Sequence, residues 1–454
     1  MKIPSVLKGE KNIVSLLNQM TRAALGFISF IILTRTFEKS VFGEWVLLIT
    51  SAGFVEMIRF GLTRTAIVRF LSASKEKESN ELKGSNWMIG LIITVIIAIV
   101  IFAINMIFNN AIQNSGYKYF FKWYPILAFL NLPLNNAITI LQAEQRFDRI
   151  LFIRNFPMVL FLIFLTLNFF ILKYNIETVI LIFMGITGFT SIVSILKKWD
   201  GLIFLKYSNK ARIKQILDFG KYSTATLIGS NLLKSADTFI LGLSPFIGPA
   251  GVALYSIPLK LTEVMEIPLR SFTATAFPKM SKASIEKDNS KVRQLFYAYS
   301  GSLTLLFIPV LILAFIFAEP LVTIVGGKEY IETANIFRIF CIYGLLLPMD
   351  RLTGVGLDSV NMPKRNFYKV IYMALANIIG DIIAVFVIVQ FYPDISIISI
   401  LMLVSSVTIL MTLIGLVVGL KYFNKEIQFS IFRIFKEGYW FYKGMYRRIV
   451  KNSK

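Results

Sequence analysis

The chain has 454 residues, 56% of them apolar and 14% aromatic, with 48 Lys and Arg against 26 Asp and Glu. So much apolar content beside a net charge of +22 excludes an ordinary globular domain and points to a polytopic membrane protein with basic loops. The absence of histidine and the single Cys341 exclude His-based triads, His or Cys metal clusters and an internal disulfide.

A membrane helix needs about 20 mostly apolar residues. Twelve segments qualify, near 13–33, 45–68, 86–108, 120–142, 150–172, 178–196, 219–243, 251–277, 294–317, 335–356, 367–391 and 396–420. The run from Trp87 to Phe108 is unbroken by any charge, whereas several other segments carry charges and score poorly on hydropathy alone. No cleavable signal peptide is expected at 13–33, which is too long and contains Asn18, Gln19 and Arg22.

The basic residues orient these spans. With every other connection assigned to the side of the N-terminus, that side carries 34 Lys and Arg and the opposite side 7, with 7 more inside spans. The positive-inside bias puts both termini in the cytoplasm, as an even number of spans requires. The outward connections are short, leaving no outer domain for a catalytic site, so no enzyme activity is expected. No nucleotide-binding P-loop is present, and no cofactor or metal is expected. The +22 is then an orientation signal, and nucleic acid is not an expected partner. The tail 421–454 mixes aromatics and bases and reads as an amphipathic helix on the anionic inner leaflet; a solvated basic tail is the alternative.

Sliding the chain on itself by 210 residues pairs Glu56 with Glu266, Thr63 with Thr273, Thr65 with Thr275, Ala66 with Ala276 and Ala73-Ser74 with Ala283-Ser284. This suggests a repeat: a six-span lobe at 1–196, an inter-lobe loop at 197–218, a second lobe at 219–420 and the tail at 421–454. The expected fold is all-α, with two pseudo-symmetric six-helix lobes around a central cavity, related by an axis along the membrane normal.

Thirteen charged residues fall inside spans: Arg22, Arg59, Arg64, Lys234, Lys260, Arg270, Arg351, Glu56, Asp237, Glu263, Glu266, Asp350 and Asp381. Each costs about 2.5–3.5 kcal/mol at mid-bilayer on insertion scales, so this number argues for a hydrated cavity. Helical spacing groups them into stripes: Ser15, Asn18 and Arg22 in the first span; Glu56, Arg59 and Thr63 in the second; Ser223, Thr226, Ser230, Lys234 and Asp237 in the seventh; Lys260, Glu263, Glu266 and Arg270 in the eighth. The nearly charge-free spans three, five, six, nine and twelve are expected to face lipid. Local pairing is the alternative for several charges: Glu266 with Arg270, Asp237 with Lys234, and Arg64 snorkelling to the cytoplasmic surface. Adjacent Asp350 and Arg351 cannot face each other on a helix, so each needs another partner. Pro258, Pro268 and Pro348 interrupt spans eight and ten and suit either helices that bend during transport or fixed packing kinks.

The opening KNIVSLLNQMTRAALGFISFIILTRTFEKSVFGEWVLL, the following RFGLTRTAIVRFL, the second-half DFGKYSTATLIGSNLLKSADTFILG and GVALYSIPLKL, and the loop ends AEQRF and NMPKRNF resemble Wzx-type oligosaccharide flippases. These belong to the multidrug/oligosaccharidyl-lipid/polysaccharide exporter superfamily. The resemblance runs from about residue 10 to 420 and implies a bacterial inner-membrane protein that flips an undecaprenyl-pyrophosphate-linked oligosaccharide for O-antigen, capsule or exopolysaccharide assembly. Membrane lipids and polysaccharide polymerase machinery are the further partners it implies. On this reading Arg22, Arg59, Lys234, Lys260, Arg270 and Arg351 bind the pyrophosphate, and Glu56, Asp237, Glu266 and Asp381 are candidates for coupling a proton or cation. The main alternative is a cation-coupled multidrug antiporter of the same superfamily, which favours an acidic cavity. A major facilitator transporter and a membrane polymerase or ligase fit less well, for want of the former's loop motif and the latter's outer loop.

Overall fold

The computed structural model describes residues 5–72 and 74–452, and side chains from residue 20 to 443 apart from a few in the seventh and last helices. Ala73 and the side chains of Ser15, Asn18, Ser223, Thr226 and Ser230, named above, lie outside the described residues. The described residues form helices and turns without a β-strand.

Thirteen long helices follow one another: α1 (Ser5–Thr36), α2 (Lys39–Leu71), α3 (Glu76–Ile107), α4 (Lys118–Ala143), α5 (Phe147–Leu167), α6 (Ile176–Leu196), α7 (Lys210–Leu243), α8 (Gly248–Ile285), α9 (Asn289–Ile316), α10 (Ala334–Ser359), α11 (Pro363–Ile382), α12 (Ile397–Ile427) and α13 (Ile431–Asn452). α5 and α11 run on through wide π-helical turns at Asn168–Leu172 and Ile383–Val387. Each of the twelve expected spans falls on one of α1 to α12. Among the described residues, nine helices are long and apolar enough to cross a membrane. The long helices outside the nine include α1, α7 and α8, which at 32, 34 and 38 residues exceed the length required. Exposed Ile99, Phe102, Phe189, Val310 and Leu413 line α3, α6, α9 and α12, the charge-poor helices expected to meet lipid.

The prolines do not end helices. Pro258, Pro268 and Pro278 lie inside α8 and Pro348 inside α10. Each removes one backbone donor while helical bonding continues on either side, which neighbouring helices make tolerable.

The chain divides into two compact units, Met1–Asn231 with Gly248–Ala253, and Leu232–Ile247 with Leu254–Lys454. α7 and α8 each contribute to both. In the first unit α4 packs against α2, α3 and α6, while α1 packs on α5. In the second, α10 packs against α9 and α12, α11 on α12, and α13 on α9.

The loop before α7 is fastened to α3. A short 3-10 turn at Leu202–Tyr207 lies so close that a Cβ on Gly84 would stand 2.1 Å from the Phe204 carbonyl oxygen. The Trp87 indole donates to the Asp200 carbonyl at 3.0 Å, and Ser85 Oγ accepts from the Asn209 N–H at 3.0 Å. Arg212 pairs with Glu78 and Glu81 at 2.9 and 3.2 Å. Burial holds the Asp200 carboxyl above the usual carboxylate range. Gly84→Leu is expected to detach this loop and lower the melting temperature of the detergent-purified protein by several degrees, while Lys77→Ala on the exposed start of α3 leaves it unchanged; thermal unfolding followed by tryptophan fluorescence checks both.

Candidate functional site

In the second unit, three helices bring four charged side chains to one cavity. Lys234 on α7 donates to both Glu266 oxygens at 2.8 and 2.9 Å. Arg270, one turn along α8 from Glu266, donates through Nη2 at 2.6 Å. Arg351 on α10 approaches the same carboxylate at 3.5 Å. With Leu269 and Thr273 these four residues line a cavity of about 170 Å³. Glu266 is the least exposed of the four charges, and the bases around it keep part of their surface open. One carboxylate shared among three bases leaves an excess of two positive charges facing the cavity. Glu266 and Arg270 do pair, as their spacing allowed, but two further bases join them from other helices.

A second cluster in the same unit is acidic and closed. Asp237, three residues past Lys234 on α7, and Asp381 on α11 are 5% and 0% exposed. Asn377 Nδ2 bridges them, donating to Asp237 Oδ1 at 2.8 Å and Asp381 Oδ2 at 2.9 Å. The Tyr255 hydroxyl on α8 and the Thr408 hydroxyl on α12 donate to Asp237 Oδ2 at 2.5 and 3.1 Å. Asp381 Oδ1 and Asn377 Oδ1 are buried without a hydrogen-bond partner, and among the described residues no base pairs with either carboxylate. Two ionised carboxylates this close repel strongly in a low dielectric, so the arrangement is suited to holding a proton or a small cation. The remaining oxygens of Asp381 and Asn377 are the free acceptors for it.

Asp350 and Arg351 point to different partners. Arg351 joins Glu266, and Asp350 accepts from Lys369 on α11 at 2.7 Å. Lys369 is 4% exposed and fits beside Gly419, where a Cβ would stand 3.0 Å from its Cδ.

In the first unit, Arg59 and Glu56 form a pair enclosed by side chains of neighbouring helices. Arg59 is 1% exposed. Its Nη1 pairs with Glu56, and its Nη2 donates to the Thr94 hydroxyl on α3 at 2.5 Å and the Ala128 carbonyl on α4 at 2.9 Å. Glu56 also accepts from the Tyr124 hydroxyl at 2.8 Å and Asn135 at 2.9 Å. The network ties α2, α3 and α4 together, and pairing makes the burial of both charges tolerable. Lys260, likewise expected at the site, pairs with Glu263 at 2.7 Å and lies outside the lining of the 170 Å³ cavity. Arg22 on α1 instead belongs with Arg64 on α2 and Arg154 on α5, close enough for their charges to act on one another. Arg64 donates to the Gln142 side chain at 2.8 and 3.1 Å, and among the described residues no carboxylate is paired with any of the three.

Sequence reasoning passed over Arg154, Lys369, Asn377, Tyr255 and Thr408. Arg154 and Lys369 lie toward the N-terminal ends of their helices, where the sequence counts them among the orienting loop bases. The i, i+4 spacing of Asn377 and Asp381 was the one local signal for the amide that bridges the acids.

A family model described as "polysaccharide biosynthesis protein" matches residues 9–284. The probable low-salt glycan biosynthesis flippase Agl15 of Haloferax volcanii is 22% identical over 184 residues, which are 40% of this chain and 38% of that protein. The match therefore spans well under half of that relative's length. Two solved structures share the fold. An inward-facing multidrug resistance MATE family transporter of the MOP superfamily has a TM-score of 0.72 at 15% identity, covering 90% of this chain and 96% of its own. The lipid II flippase MurJ in an inward closed conformation has a TM-score of 0.69 at 14% identity, covering 96% and 99%. The chain is thus a multi-pass membrane protein with an all-α transporter fold.

Arg59 and Arg270, both expected at the binding site, differ in burial and so in the effect of their removal. Arg59→Ala is expected to remove most of the folded, detergent-extractable protein, because breaking a buried pair costs about 3–5 kcal/mol. Arg270→Ala, at an exposed side chain, is expected to leave the folded yield within about twofold of wild type; size-exclusion profiles of the two variants decide the matter.

Proposed function

We propose, from the premise that this chain belongs to the polysaccharide biosynthesis protein family, that it is a flippase for a lipid-linked oligosaccharide. The carrier is a polyprenyl pyrophosphate, undecaprenyl in a bacterial inner membrane, and the termini are cytoplasmic. The glycan is destined for O-antigen, capsule or exopolysaccharide. One observation carries this reading: Lys234, Arg270 and Arg351 surround a single carboxylate beside an open cavity, leaving two positive charges in excess.

A pyrophosphate is the complementary ligand. It offers several anionic oxygens to a flat guanidinium fork and to an ammonium. As it enters, Arg270 and Arg351 transfer their donors from Glu266 to phosphate oxygens. Glu266 stays paired with Lys234, whose ammonium donates to both of its oxygens, so the carboxylate is not left uncompensated. Arg22, Arg64 and Arg154 form a second cationic surface for the same headgroup chemistry. The polyprenyl tail remains in lipid, where transfer into water would cost about 0.8 kcal/mol per methylene.

Asp237 and Asp381 supply the coupling. A proton or monovalent cation between them relieves their repulsion. Asp237 stands one helical turn from Lys234, so α7 carries a member of both clusters and links the occupancy of the acid site to the position of the anion site. Glu56 and Glu266, committed to bases, do not take that part.

A drug antiporter is the second reading, favoured by the acid pair and by the likeness to a multidrug transporter. It fits less well because the acids are closed to anything larger than an ion, while the cavity that is open carries the charge that repels a cationic drug.

Two measurements test the proposal. In a strain dependent on this protein for surface polysaccharide, Arg270→Ala/Arg351→Ala is expected to cut export at least about tenfold and to accumulate lipid-linked sugar at the inner leaflet, the equivalent of losing one to two charge-assisted bonds; normal export by the inserted variant contradicts it. Asp237→Asn is expected to abolish the dependence of transport in proteoliposomes on a proton or sodium gradient while leaving diphosphate binding within about twofold, since it touches only the coupling site.

A further inference from the structure

The C-terminal helix α13 is a docked element whose outward face is set by its contacts. The turn leading into it is fastened to α9. Asn289 Nδ2 donates to the Glu426 carbonyl at 3.4 Å and Arg293 Nη1 to the Gln428 carbonyl at 2.9 Å. The Ser430 N–H donates to the Tyr297 hydroxyl at 2.7 Å. Beyond the turn, Ile434, Gly438 and Tyr442 recur every fourth residue and face α9. Ile434 is 0% exposed, and a Cβ on Gly438 would stand 2.5 Å from the Gly301 backbone, so the two helices touch through glycine. The Tyr442 hydroxyl closes the contact on the Ser302 carbonyl at 2.9 Å.

This contact adds a docking stripe to the amphipathic helix expected on the leaflet, and it fixes the rotation of α13. At about 100° per residue, two sectors adjoin on the remaining circumference, with exposed Glu437 beyond them. Phe435, Tyr439 and Phe432 fall beside the docking stripe within an arc of about 60°. Lys443, Lys436 and Arg433 follow within about 80°, with Trp440 among them. All four of these large aromatics are exposed, Phe432 at 87%. Lys443 Nζ lies 4.7 Å over the Trp440 ring. From Ile431 to the C-terminus the sequence holds seven bases and one acid, Glu437. An aromatic sector adjoining a basic one is the distribution of a helix whose apolar side enters the acyl region and whose basic side meets headgroups.

We propose that docked α13 is a binding surface for anionic phospholipid, with Arg433, Lys436 and Lys443 on the headgroup phosphates and Phe432, Phe435 and Tyr439 among the upper acyl chains. The occupant follows from charge: a zwitterionic headgroup offers no net attraction to three bases, whereas each base near an anionic surface strengthens binding roughly fivefold. Docking through Gly301 and Gly438 couples that surface to α9 of the second unit.

The test uses the full-length protein in an uncharged detergent, titrated with phospholipids brominated on the acyl chain. Quenching of Trp440 is read as the difference between wild-type and Trp440→Phe protein. Brominated phosphatidylglycerol is expected to quench at a tenfold or more lower mole fraction than brominated phosphatidylcholine, and high salt is expected to remove the preference. Arg433→Gln/Lys436→Gln/Lys443→Gln should weaken the phosphatidylglycerol response by up to about a hundredfold. Lys364→Gln/Arg365→Gln, which neutralises a basic–aromatic patch on α11, should not change it. Equal quenching by the two lipids overturns the proposal, as does a triple variant that keeps the preference or an α11 variant that loses as much.

Discussion

The sharing of Glu266 by Lys234, Arg270 and Arg351 is the interaction on which the rest turns. A lone base at this depth in a membrane protein is expensive, and a base paired one-to-one with an acid is electrically silent. Three bases around one acid are neither. The single carboxylate gathers side chains from α7, α8 and α10 and still leaves positive charge for an anion. The other intramembrane charges can be understood by contrast. Arg59 with Glu56, Lys260 with Glu263 and Lys369 with Asp350 are balanced pairs, and two of the three are partly or wholly buried, where they tie helices together. Among the described intramembrane charges, the cationic clusters and the Asp237–Asp381 pair are the unbalanced ones.

The two positions aligned by the 210-residue offset show how like beginnings diverge. Glu56 on α2 and Glu266 on α8 each hold an arginine on their own helix, Arg59 at i+3 and Arg270 at i+4. In the first unit Thr94, Tyr124 and Asn135 close over the pair, and it becomes a buried strut. In the second, the surroundings are bases and open space, and the pair becomes a hub. The difference lies in what α3 and α4, or α7 and α10, bring to the carboxylate.

The legibility of the sequence follows the same line between local and distant. Apolar run length located the helices that are apolar enough to cross a membrane, because the bilayer sets that length directly; charge-bearing spans such as α7 and α8 had to be read through their polar stripes. The chain continues several of them well past the apolar core, where only capping and packing decide. Same-helix spacing allowed Glu266 with Arg270 as an alternative to a cavity role, whereas Lys260 and Glu263, read as one cavity-facing stripe, pair with each other; the adjacency of Asp350 and Arg351 correctly implied separate partners. The pairings of Arg59 with Ala128, of Asp237 with Asn377 and of Lys369 with Asp350 join positions 69, 140 and 19 residues apart, and no periodicity carries that information. For the same reason Arg59, which on a helical wheel shares a polar face with Glu56 and Thr63, lies among neighbouring helices. The tail's amphipathic pattern was visible, but its docking stripe passes through Gly438, a residue that hydropathy ignores.

The central claim is that the open cluster of the second unit recognises a diphosphate. Calorimetric titration of the purified protein with farnesyl diphosphate, farnesyl monophosphate and tetraphenylphosphonium tests it most directly. The account predicts saturable, salt-sensitive binding of the diphosphate, several-fold weaker binding of the monophosphate, no binding of the cation, and loss of the diphosphate signal in Arg270→Ala/Arg351→Ala. Binding of tetraphenylphosphonium in preference to the diphosphate, or diphosphate binding indifferent to both arginines, would contradict it.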